Sequence, residues 1–329
     1  MTVCDEAIVL YNRTAEDSPE DMLDVKVQAE WIREELEALG CRARMLPFGL
    51  DAVGELLEAK KRGGCFVVNM VDSGPREENF ATLAPSILEA VGIPFAGCGA
   101  EAVLVTTNKP LTKRLLASYA LPTPAWAGVD GVFEPGRYLI KPACEDASVG
   151  LTDQCLVEAE TAEALNLLVS ERKKMSGVRC FAEKYIDGRE FNVCVYGSRE
   201  NPVVLPPYEW VFPGFQEAGK PCFINYNAKW VENTFEYDKL AAVYHLPPED
   251  ELLVRELVRL TLACWVNFGL NGWARVDFRV DGAGRPWILE INCNPSFYGF
   301  FNIARAHGFP FAQVIRGVAG ALIRKGCAL

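Results

Sequence analysis

The residues best suited to chemistry lie in the stretch 271–296, NGWARVDFRVDGAGRPWILEINCNPS. It contains three side chains with oxygen ligands, Asp277, Glu290 and Asn292, together with the positive charge of Arg275. Two carboxylates and an amide suit Mg²⁺, which takes hard oxygen ligands and completes its shell with water or phosphate oxygens. The arginine could neutralise charge that develops on a transferring phosphoryl group or an oxyanion. The stretch therefore predicts metal-assisted chemistry on phosphates.

A β-hairpin would bring these side chains to one surface. The residues 281–284, Asp-Gly-Ala-Gly, are typical of a tight turn between strands rich in Val, Ile, Phe and Trp. With those four residues as the loop, the predicted cross-strand pairs are Val280 with Arg285, Asp277 with Ile288 and Arg275 with Glu290. The predicted core face carries Val276, Phe278, Val280, Trp287, Leu289 and Ile291. The predicted site face carries Arg275, Asp277, Arg279, Glu290 and Asn292.

An ordinary solvated face with cross-strand ion pairs is the alternative, and it would be preferred for any single charged pair. That alternative must also account for the amide at Asn292 and for the Asn-Pro-Ser turn after the second strand. We therefore favour the metal site.

The pattern Arg-x-Asp at 275–277, followed by Leu-Glu-Ile-Asn-x-Asn-Pro at 289–295, resembles the metal-binding end of ATP-grasp carboxylate-amine ligases. Within that group the chain is most similar to D-alanine:D-alanine ligase-like proteins, over nearly its whole length. The resemblance implies that Asp277 and Glu290 hold one Mg²⁺ and that Glu290 and Asn292 hold a second, with Mn²⁺ as a substitute. It also implies that Arg275 and the backbone N–H near Ser296 stabilise the transition state.

Composition sets limits on the class of protein. A chain of 329 residues, half of them hydrophobic, can bury a large core and exceeds one typical domain. The net charge of -11 and the lack of a Lys/Arg block argue against a nucleic-acid partner. The twelve cysteines are scattered and predict reduced thiols. With an acidic N-terminus and no apolar run of membrane-spanning length, we expect a cytoplasmic protein without a membrane partner.

The first part of the chain alternates short apolar runs with helical spacing, which predicts a parallel sheet wrapped by helices. The predicted strands are 7–11, 41–45 and 65–69, and the predicted helices are 21–39, 52–60 and 80–91. In such sheets ligands bind beyond the carboxyl ends of the strands. This places residues 11–12, 69–72 and 97–99 at a substrate mouth, unless each is an ordinary loop. Asp24 and Asn69 are our substrate candidates here.

Two lysines are candidates for binding phosphates. Lys109 lies in a predicted helix, 108–119, and Lys141 ends a predicted strand, 138–141, just before the small-residue loop 142–150. Such a loop can fold over phosphates and offer backbone N–H groups, and the ammonium beside it can act as a point charge. The resemblance matches both lysines to the nucleotide lysines and places Ser148 in the phosphate-covering loop. Either lysine alone would more often be a solvated surface charge.

The predicted strand 180–186 resembles the segment that links the two halves of the ATP clamp. By that resemblance the backbone from Glu183 through Lys184 to Ile186 pairs with adenine, and Glu190 takes the ribose hydroxyls. A carboxylate suits a diol because both of its oxygens accept hydrogen bonds. The alternative is a turn followed by a strand with a surface glutamate.

The acceptor side matches the family less well. Segment 206–221 is rich in Pro and Gly and predicts an irregular loop, either a lid or a packed surface loop. Lys229 and Trp230 correspond to the family's acceptor-side lysine and its aromatic neighbour, where tyrosine is usual. Ala147 replaces one serine of the usual Ser-Ser pair, and Tyr298 belongs to an aromatic run, 297–301, that replaces a Gly- and Ser-rich stretch. These departures predict a larger or less polar acceptor.

The resemblance implies mixed α/β and α+β architecture, an ATP-grasp fold with an N-terminal parallel, Rossmann-like α/β domain. We expect domains at 1–106, 107–188 and 189–329, the last carrying the metal site. The expected activity joins a small-molecule carboxylate to an amine through an acyl phosphate, giving ADP and phosphate, with an amino acid in a natural-product pathway as the favoured substrate. The alternatives are a D-alanine:D-alanine ligase of cell-wall synthesis, an AMP-forming ligase or a non-catalytic nucleotide-binding regulator. A homodimer is expected by family analogy.

Overall fold

The described residues form three β-sheets, each from a separate part of the chain, and these sheets position the predicted site residues. The computed structural model describes residues 5–14, 18, 20–72, 80–127, 133–144, 148, 150–320 and 322. None of the helices in these ranges is both long and apolar enough to cross a bilayer.

The first sheet is parallel, with strand order β2-β1-β3-β4. Its strands are β1 (Glu6–Asn12), β2 (Arg42–Phe48), β3 (Cys65–Met70) and β4 (Phe95–Ala96). Its helices are α1 (Glu20–Ala38), α2 (Ala52–Arg62) and α3 (Phe80–Val91). Every residue of β3 is buried, because helices cover both faces of the sheet. The predicted parallel α/β arrangement is confirmed.

Two helices that follow connect the first sheet to the second. They are α4 (Ala100–Thr107), which the sequence patterns did not predict, and α5 (Lys109–Ser118). Asn108 caps α5, since its side-chain oxygen accepts a hydrogen bond from the N–H of Leu111 at 3.3 Å. The cap fixes the start of the helix and with it the location of Lys109.

The second sheet is antiparallel, with strand order β5-β8-β6-β7. Its strands are β5 (Trp126–Ala127), β6 (Gly136–Pro142), β7 (Leu156–Ala159) and β8 (Cys180–Lys184), and helix α6 (Ala162–Ser176) packs against it. Strand β8 is two residues shorter than the predicted strand 180–186, because residues 185–187 turn toward the third sheet.

The third sheet has strand order β12-β11-β9-β13-β14, and β10 pairs with β9. Its strands are β9 (Gly188–Ser198), β10 (Asn201–Val204), β11 (Tyr208–Val211), β12 (Ala241–Val243), β13 (Gly272–Asp281) and β14 (Pro286–Asn292). The helices between them are α7 (Tyr226–Trp230), α8 (Phe235–Lys239) and α9 (Glu251–Asn267).

The prediction that segment 206–221 is entirely irregular is wrong. Within it, β11 pairs with β9 on one side and with β12 on the other. Its sequence, Tyr-Glu-Trp-Val, is rich in residues that favour strands, and the flanking prolines hid this preference.

The predicted register of the hairpin β13–β14 is also wrong, although its turn is correct. The observed pairs are Val280 with Pro286, Asp277 with Glu290 and Arg275 with Asn292. The register shifts between residues 277 and 278, where Leu289 is the extra residue of a β-bulge. Leu289 therefore lines a cleft beside the polar residues, and Trp287 pairs with Arg279, whereas both were predicted on the core face. Ile288 is fully buried instead.

The last two helices, α10 (Tyr298–His307) and α11 (Phe311–Ala319), return to the first sheet. Trp31 of α1 stacks on Phe311 with 4.5 Å between ring centroids and meets the edge of Phe301 at 5.0 Å. The same buried cluster includes Val9 of β1 and Phe300 of α10. The two ends of the described chain thus share one hydrophobic core.

The first and third sheets also meet at two glycines. A Cβ on Gly272 would lie 2.7 Å from Cα of Gly97, and Gly272 has a φ of +77°. Next to this contact, the thiol of Cys98 lies 3.2 Å from the carbonyl oxygen of Asn271. The segment 97–99, predicted at a substrate mouth, therefore packs against the start of β13.

Candidate active site

Two adjoining clefts contain most of the predicted site residues. The inter-sheet cleft lies between the second and third sheets and encloses about 960 Å³, including space open to solvent. The helical cleft lies between α1, α7, α10 and the third sheet and encloses about 1970 Å³ on the same measure. In the part of the chain that the structure describes, four residues line both clefts: Tyr208, Trp210, Lys229 and Arg275. Two compartments therefore meet at one charged boundary.

The predicted metal ligands come together at the hairpin. Asp277 and Glu290 are direct cross-strand neighbours, and the amide nitrogen of Asn292 donates to both, at 3.1 Å and 3.3 Å. This nitrogen lies between two carboxylates, which is where a cation would be stabilised. The side chains present, two carboxylates and an amide, fit a hard divalent ion. Among the described residues no three His, Cys, Asp or Glu side chains form such a group, so a metal here would also need ligands from substrate or water.

Arg275 is held next to this cluster. Its Nε donates to Oδ1 of Asp277 at 2.6 Å, and its Nη2 donates to Oδ2 at 2.8 Å. Such a bidentate pair fixes the plane of the guanidinium group. Because Arg275 lines both clefts, it is located to act on groups that meet at their boundary.

The charges in the inter-sheet cleft hold Glu290 ionised. Burial alone would raise its pKa, but four cations, Lys109, Lys141, Lys229 and Arg275, together hold the pKa of Glu290 well below its usual range. Nζ of Lys109 lies 3.6 Å from Oε2 of Glu290. Burial and the nearby Glu290 raise the pKa of Asp277, while Arg275 opposes them. An acidic protein thus concentrates positive charge in one cleft, as a polyphosphate would require.

Lys141 belongs to a buried cluster of three charges. Its Nζ donates to Oε1 of Glu183 at 2.7 Å, and the ammonium group of Lys113 forms an ion pair with the other oxygen. Lys113 and Glu183 are almost fully buried. Lys113 also donates to the hydroxyl of Thr123 at 2.9 Å. The side chain of Glu183 therefore has a function that the sequence did not predict, since it orients a lysine at the edge of the cleft.

Segment 183–186 also lines the inter-sheet cleft. The N–H of Lys184 donates to the carbonyl oxygen of Ala125 at 2.7 Å, and its ammonium donates to that of Pro135 at 2.7 Å. The carbonyl oxygen of Ile186 accepts a hydrogen bond from Nε of Arg279 at 3.0 Å. Part of this backbone is therefore already bonded within the protein.

Ser148 lines the same cleft, and its hydroxyl donates to the carbonyl oxygen of Ile224 at 3.2 Å. It has a φ of +62°, in the left-handed region. The neighbouring Ala147 lies outside the described residues.

Glu190 lines the inter-sheet cleft as predicted, but it is paired with Arg279. Nη1 of Arg279 donates to Oε2 of Glu190 at 3.0 Å. Burial raises the pKa of Glu190, and Arg279 opposes this effect. The sequence placed Arg279 on the site face without giving it a role.

Besides Arg275 and Asn292, the predicted site residues that line the helical cleft are Asp24, Lys229, Trp230, Ser296 and Tyr298. Oδ2 of Asp24 accepts a hydrogen bond from Nε2 of Gln28 at 2.6 Å, and burial raises the pKa of Asp24. Gln28 in turn accepts the N–H of Phe297 at 2.8 Å. These contacts fix α1 against the start of α10.

Asn69 does not line the helical cleft, and its place at a substrate mouth stays a prediction. It is buried in a smaller pocket behind Asn292, and its side-chain oxygen accepts the N–H of Val71 at 3.3 Å. The carboxyl end of β3 turns inward because Asn294 donates to the carbonyl oxygen of Val71 at 3.2 Å.

Two residues that sequence reasoning missed, Asn192 and Trp210, support the predicted metal ligands. The indole of Trp210 donates to Asn192, and the amide of Asn192 donates to Oδ1 of Asp277. Tyr208 is buried at the boundary of the clefts. The alternation of Glu190 and Asn192 along β9 could have placed Asn192 on the site face, but the strand β11 that carries the two aromatic residues was not predicted.

Comparison with known proteins gives consistent results. Residues 137–319 match the family model described as D-ala D-ala ligase C-terminus. The chain is 31% identical over 238 residues to a D-alanine--D-alanine ligase from Bordetella pertussis, covering 69% of each chain. It is 28% identical over 296 residues to the D-alanine--D-alanine ligase from Methylococcus capsulatus, covering 86% of each.

Solved structures resemble the whole described fold. D-alanyl-alanine synthetase A from Vibrio cholerae superposes with a TM-score of 0.70 at 17% identity, covering 98% of this chain and all of that one. D-alanine--D-alanine ligase from Bacillus anthracis complexed with ATP gives a TM-score of 0.67 at 17% identity, covering 96% and 97%. These neighbours have the ATP-grasp fold, as predicted from the sequence.

Proposed function

Since this chain belongs to the D-alanine:D-alanine ligase family and is therefore an ADP-forming ATP-grasp ligase that uses ATP and a divalent metal, we propose that it joins two molecules of D-alanine. The comparisons favour this alternative over the mixed-substrate ligation that the sequence departures predicted. The use of two Mg²⁺ ions, their replacement by Mn²⁺, the domain limits and a homodimer stay predictions.

One observation carries the proposal. Arg275 and Lys229 line both clefts, so their charges lie where a polyphosphate in the inter-sheet cleft would meet a carboxylate in the helical cleft. Lys109 and Lys141 lie in the inter-sheet cleft alone. The arrangement suits transfer of a terminal phosphoryl group from one compartment to an oxygen in the other.

A carboxylate does not react with an amine in water because oxide is a poor leaving group. Transfer of the γ-phosphoryl group of ATP to one carboxylate oxygen of the first D-alanine gives ADP and an acyl phosphate. The amine nitrogen of the second D-alanine then attacks the carbonyl carbon, the C–O bond to phosphate breaks, phosphate leaves and the amine loses a proton. In this proposal Lys109 and Lys141 bind the phosphates, and Arg275 stabilises the negative charge that develops on the reacting oxygens in the transition state.

The metal would be held by Asp277, Glu290 and Asn292, and it would neutralise charge on the phosphates as a Lewis acid. The other steps that we propose here, the orientation of Asp277 and the exclusion of water, depend on side chains of the protein. Asn192 and Arg275 orient Asp277 through the hydrogen bonds described above. The aromatic residues Tyr208 and Trp210 at the boundary limit the access of water to the acyl phosphate.

The test is to incubate the purified protein with ATP, Mg²⁺ and D-alanine and to measure ADP by a coupled assay and product mass by mass spectrometry. The expected result is ADP release in step with D-alanyl-D-alanine. ADP release that does not rise when D-alanine is added would overturn the proposal.

A second candidate function is ligation of D-alanine to a different amine, and the lining of the helical cleft favours it. Among the described residues, six aromatic side chains line this cleft: Tyr208, Trp210, Trp230, Tyr237, Tyr244 and Tyr298. Three carboxylates accompany them, from Asp24, Asp72 and Glu232. Aromatic faces and carboxylates together attract organic cations, so an amine that is larger than D-alanine and carries a second positive charge would suit this cleft.

Competition distinguishes the two candidates. D-alanine is mixed with an equal concentration of each member of an amine panel that includes diamines and arylalkylamines, and the product masses are compared. A mixed product in excess of the dipeptide supports the second function. The dipeptide as the main product with every amine supports the first.

A further inference from the structure

Arg279 connects three parts of the inter-sheet cleft. It extends from β13, two residues beyond Asp277 and on the same face, and is only 3% exposed. Its Nε donates to the carbonyl oxygen of Ile186 at 3.0 Å, its Nη1 to Oε2 of Glu190 at 3.0 Å and its Nη2 to the hydroxyl of Tyr185 at 2.8 Å. All three nitrogens of the guanidinium group therefore have partners.

These partners are the residues at one end of the cleft. Glu190 and Ile186 are the residues expected to contact the ribose and the base, whereas Nζ of Lys109 lies 3.6 Å from Glu290. The guanidinium carbon of Arg279 also lies 5.1 Å from the ring centroid of Tyr185, which lines the same end. The hydrogen bonds of Arg279 go to Ile186, Glu190 and Tyr185, and not to the predicted metal ligands. We therefore expect Arg279 to affect the binding of the nucleoside part of ATP rather than the binding of its phosphates.

We propose that Arg279 is a positioning residue for the nucleoside part of ATP, acting by holding Glu190 and the Ile186 carbonyl in place. The inference rests on the proposed nucleotide site. Arg279 binds one carboxylate oxygen of Glu190 and compensates its buried negative charge, so the other oxygen is held at a fixed place for a ribose hydroxyl. A buried charge that loses its partner becomes costly and moves toward other donors or solvent. Glu190 without Arg279 would then no longer distinguish a ribose from a deoxyribose.

A rigid structural support would behave differently. If Arg279 only stabilised the hairpin, its loss would lower protein stability and weaken ADP and 2′-deoxy-ADP binding by the same factor. If it positions Glu190, its loss weakens ADP binding much more than 2′-deoxy-ADP binding. The ratio of the two dissociation constants therefore separates the two roles.

The experiment measures binding of ADP and of 2′-deoxy-ADP by calorimetry, so the result does not depend on the amino-acid substrate. Wild-type protein should bind ADP about 10-fold more tightly than 2′-deoxy-ADP, as expected for one hydrogen bond to a charged group. In Arg279→Met this ratio should fall to about 1, with ADP weakened by about 10- to 100-fold. Arg279→Lys, which keeps the charge, should retain an intermediate ratio.

The matched control is Arg137→Met. Arg137 also lies over the ring of Tyr185, at 4.9 Å from its centroid, but its hydrogen bond goes to the exposed Asp187 at 2.8 Å. This variant should keep the wild-type ratio. An Arg279→Met protein that keeps the wild-type ratio would overturn the inference.

Protein stability has to be separated from positioning because Arg279 is buried. If Arg279→Met does not fold, Arg279→Gln and Glu190→Gln are compared with wild type. Each variant should reduce the ratio of the two dissociation constants to about 1. The first removes the guanidinium group that holds Glu190, and the second removes the charge of the carboxylate that accepts the ribose hydroxyl. A wild-type ratio of 1 would contradict the inference without any variant. Absence of ADP binding by wild-type protein would instead contradict the proposed nucleotide site.

Discussion

Nζ of Lys141 donates a hydrogen bond to Oε1 of Glu183 at 2.7 Å, and Lys113 neutralises the same carboxylate from the buried side. Glu183→Gln would leave two lysines without their counter-charge, one of them fully buried. We expect this change to lower the free energy of unfolding by about 3 kcal/mol, as for other broken buried ion pairs. Urea unfolding measures it. Glu158→Gln, at an exposed residue of β7 in the same sheet, is the control, and equal losses in the two variants would contradict the prediction.

Lys141→Met should affect nucleotide affinity more than stability. Glu183 keeps Lys113 as a partner in this variant, so no buried carboxylate is left unpaired. The cleft loses one positive charge, and we expect ATP binding to weaken by about 10- to 100-fold, the range for a charge-assisted hydrogen bond. Calorimetry with ATP and Mg²⁺ checks it. Lys174→Met, at an exposed residue of α6, serves as the control. An unchanged affinity of Lys141→Met for ATP would show that the phosphates do not bind beside Lys141.

Glu290→Gln should remove turnover while leaving the fold intact. The change keeps the shape of the side chain and removes the negative charge that four of the cations in the cleft stabilise. We expect kcat to fall by at least about 100-fold, with Asp277→Asn less severely affected. ADP release measures activity and circular dichroism checks the fold. Glu256→Gln, on the outer surface of α9, should behave as wild type. A Glu290→Gln protein with normal activity in Mg²⁺ would show that the hairpin is not the metal site.

Asp281 should make stability depend on pH at the turn of the hairpin. Its carboxylate accepts hydrogen bonds from the N–H groups of Ala283 and Arg285 and from the indole of Trp287, and these lower its pKa to about 2. The unfolded chain has the usual, higher pKa, so this stabilisation is complete above about pH 5 and is lost as the pH falls toward 2.

The measurement compares the urea midpoints of wild type and Asp281→Asn between pH 6 and pH 2.5. The difference between them should be largest above pH 5 and should shrink as the solution becomes more acidic. A difference that stays constant with pH would show that the charge of Asp281 contributes nothing.

Two glycines with the same φ allow a steric effect to be isolated. Gly272 and Gly284 both have a φ of +77°, but a Cβ on Gly284 would meet nothing within 4 Å, whereas one on Gly272 would collide with the backbone of Gly97. Gly284→Ala should cost about 1 to 2 kcal/mol, the strain of the left-handed conformation. Gly272→Ala should cost at least about 2 kcal/mol more, because backbone must move. Thermal unfolding checks both, and equal losses would mean that the contact is not tight.

The sequence predicted the parallel first sheet, the turn at 281–284 and the face that gathers Asp277, Glu290 and Asn292. Each follows from local periodicity or turn chemistry, which neighbouring residues determine. The register was predicted wrongly because a β-bulge at Leu289 breaks the period of two without a sequence signal. A one-residue shift moved Leu289 and Trp287 to the other face.

The contacts that shape the inter-sheet cleft could not be predicted from local sequence patterns. Glu183 meets Lys113 and Lys141 across separate elements, and Arg279 meets Glu190 across 89 residues of sequence. Only the fold brings such residues together. The C-terminal helices were also missed, because their apolar residues complete a core whose other half lies at the opposite end of the sequence.

That shared core has a consequence for the way the protein is synthesised. Trp31 emerges from the ribosome long before Phe301 and Phe311, two of the rings that pack against it. At about 5 to 20 residues per second, the 280 residues between Trp31 and Phe311 leave this apolar surface uncovered for roughly 15 to 60 seconds. The nascent chain would then be a target for chaperones over that interval, and release of a chain shortened before α10 would leave the N-terminal sheet prone to aggregation.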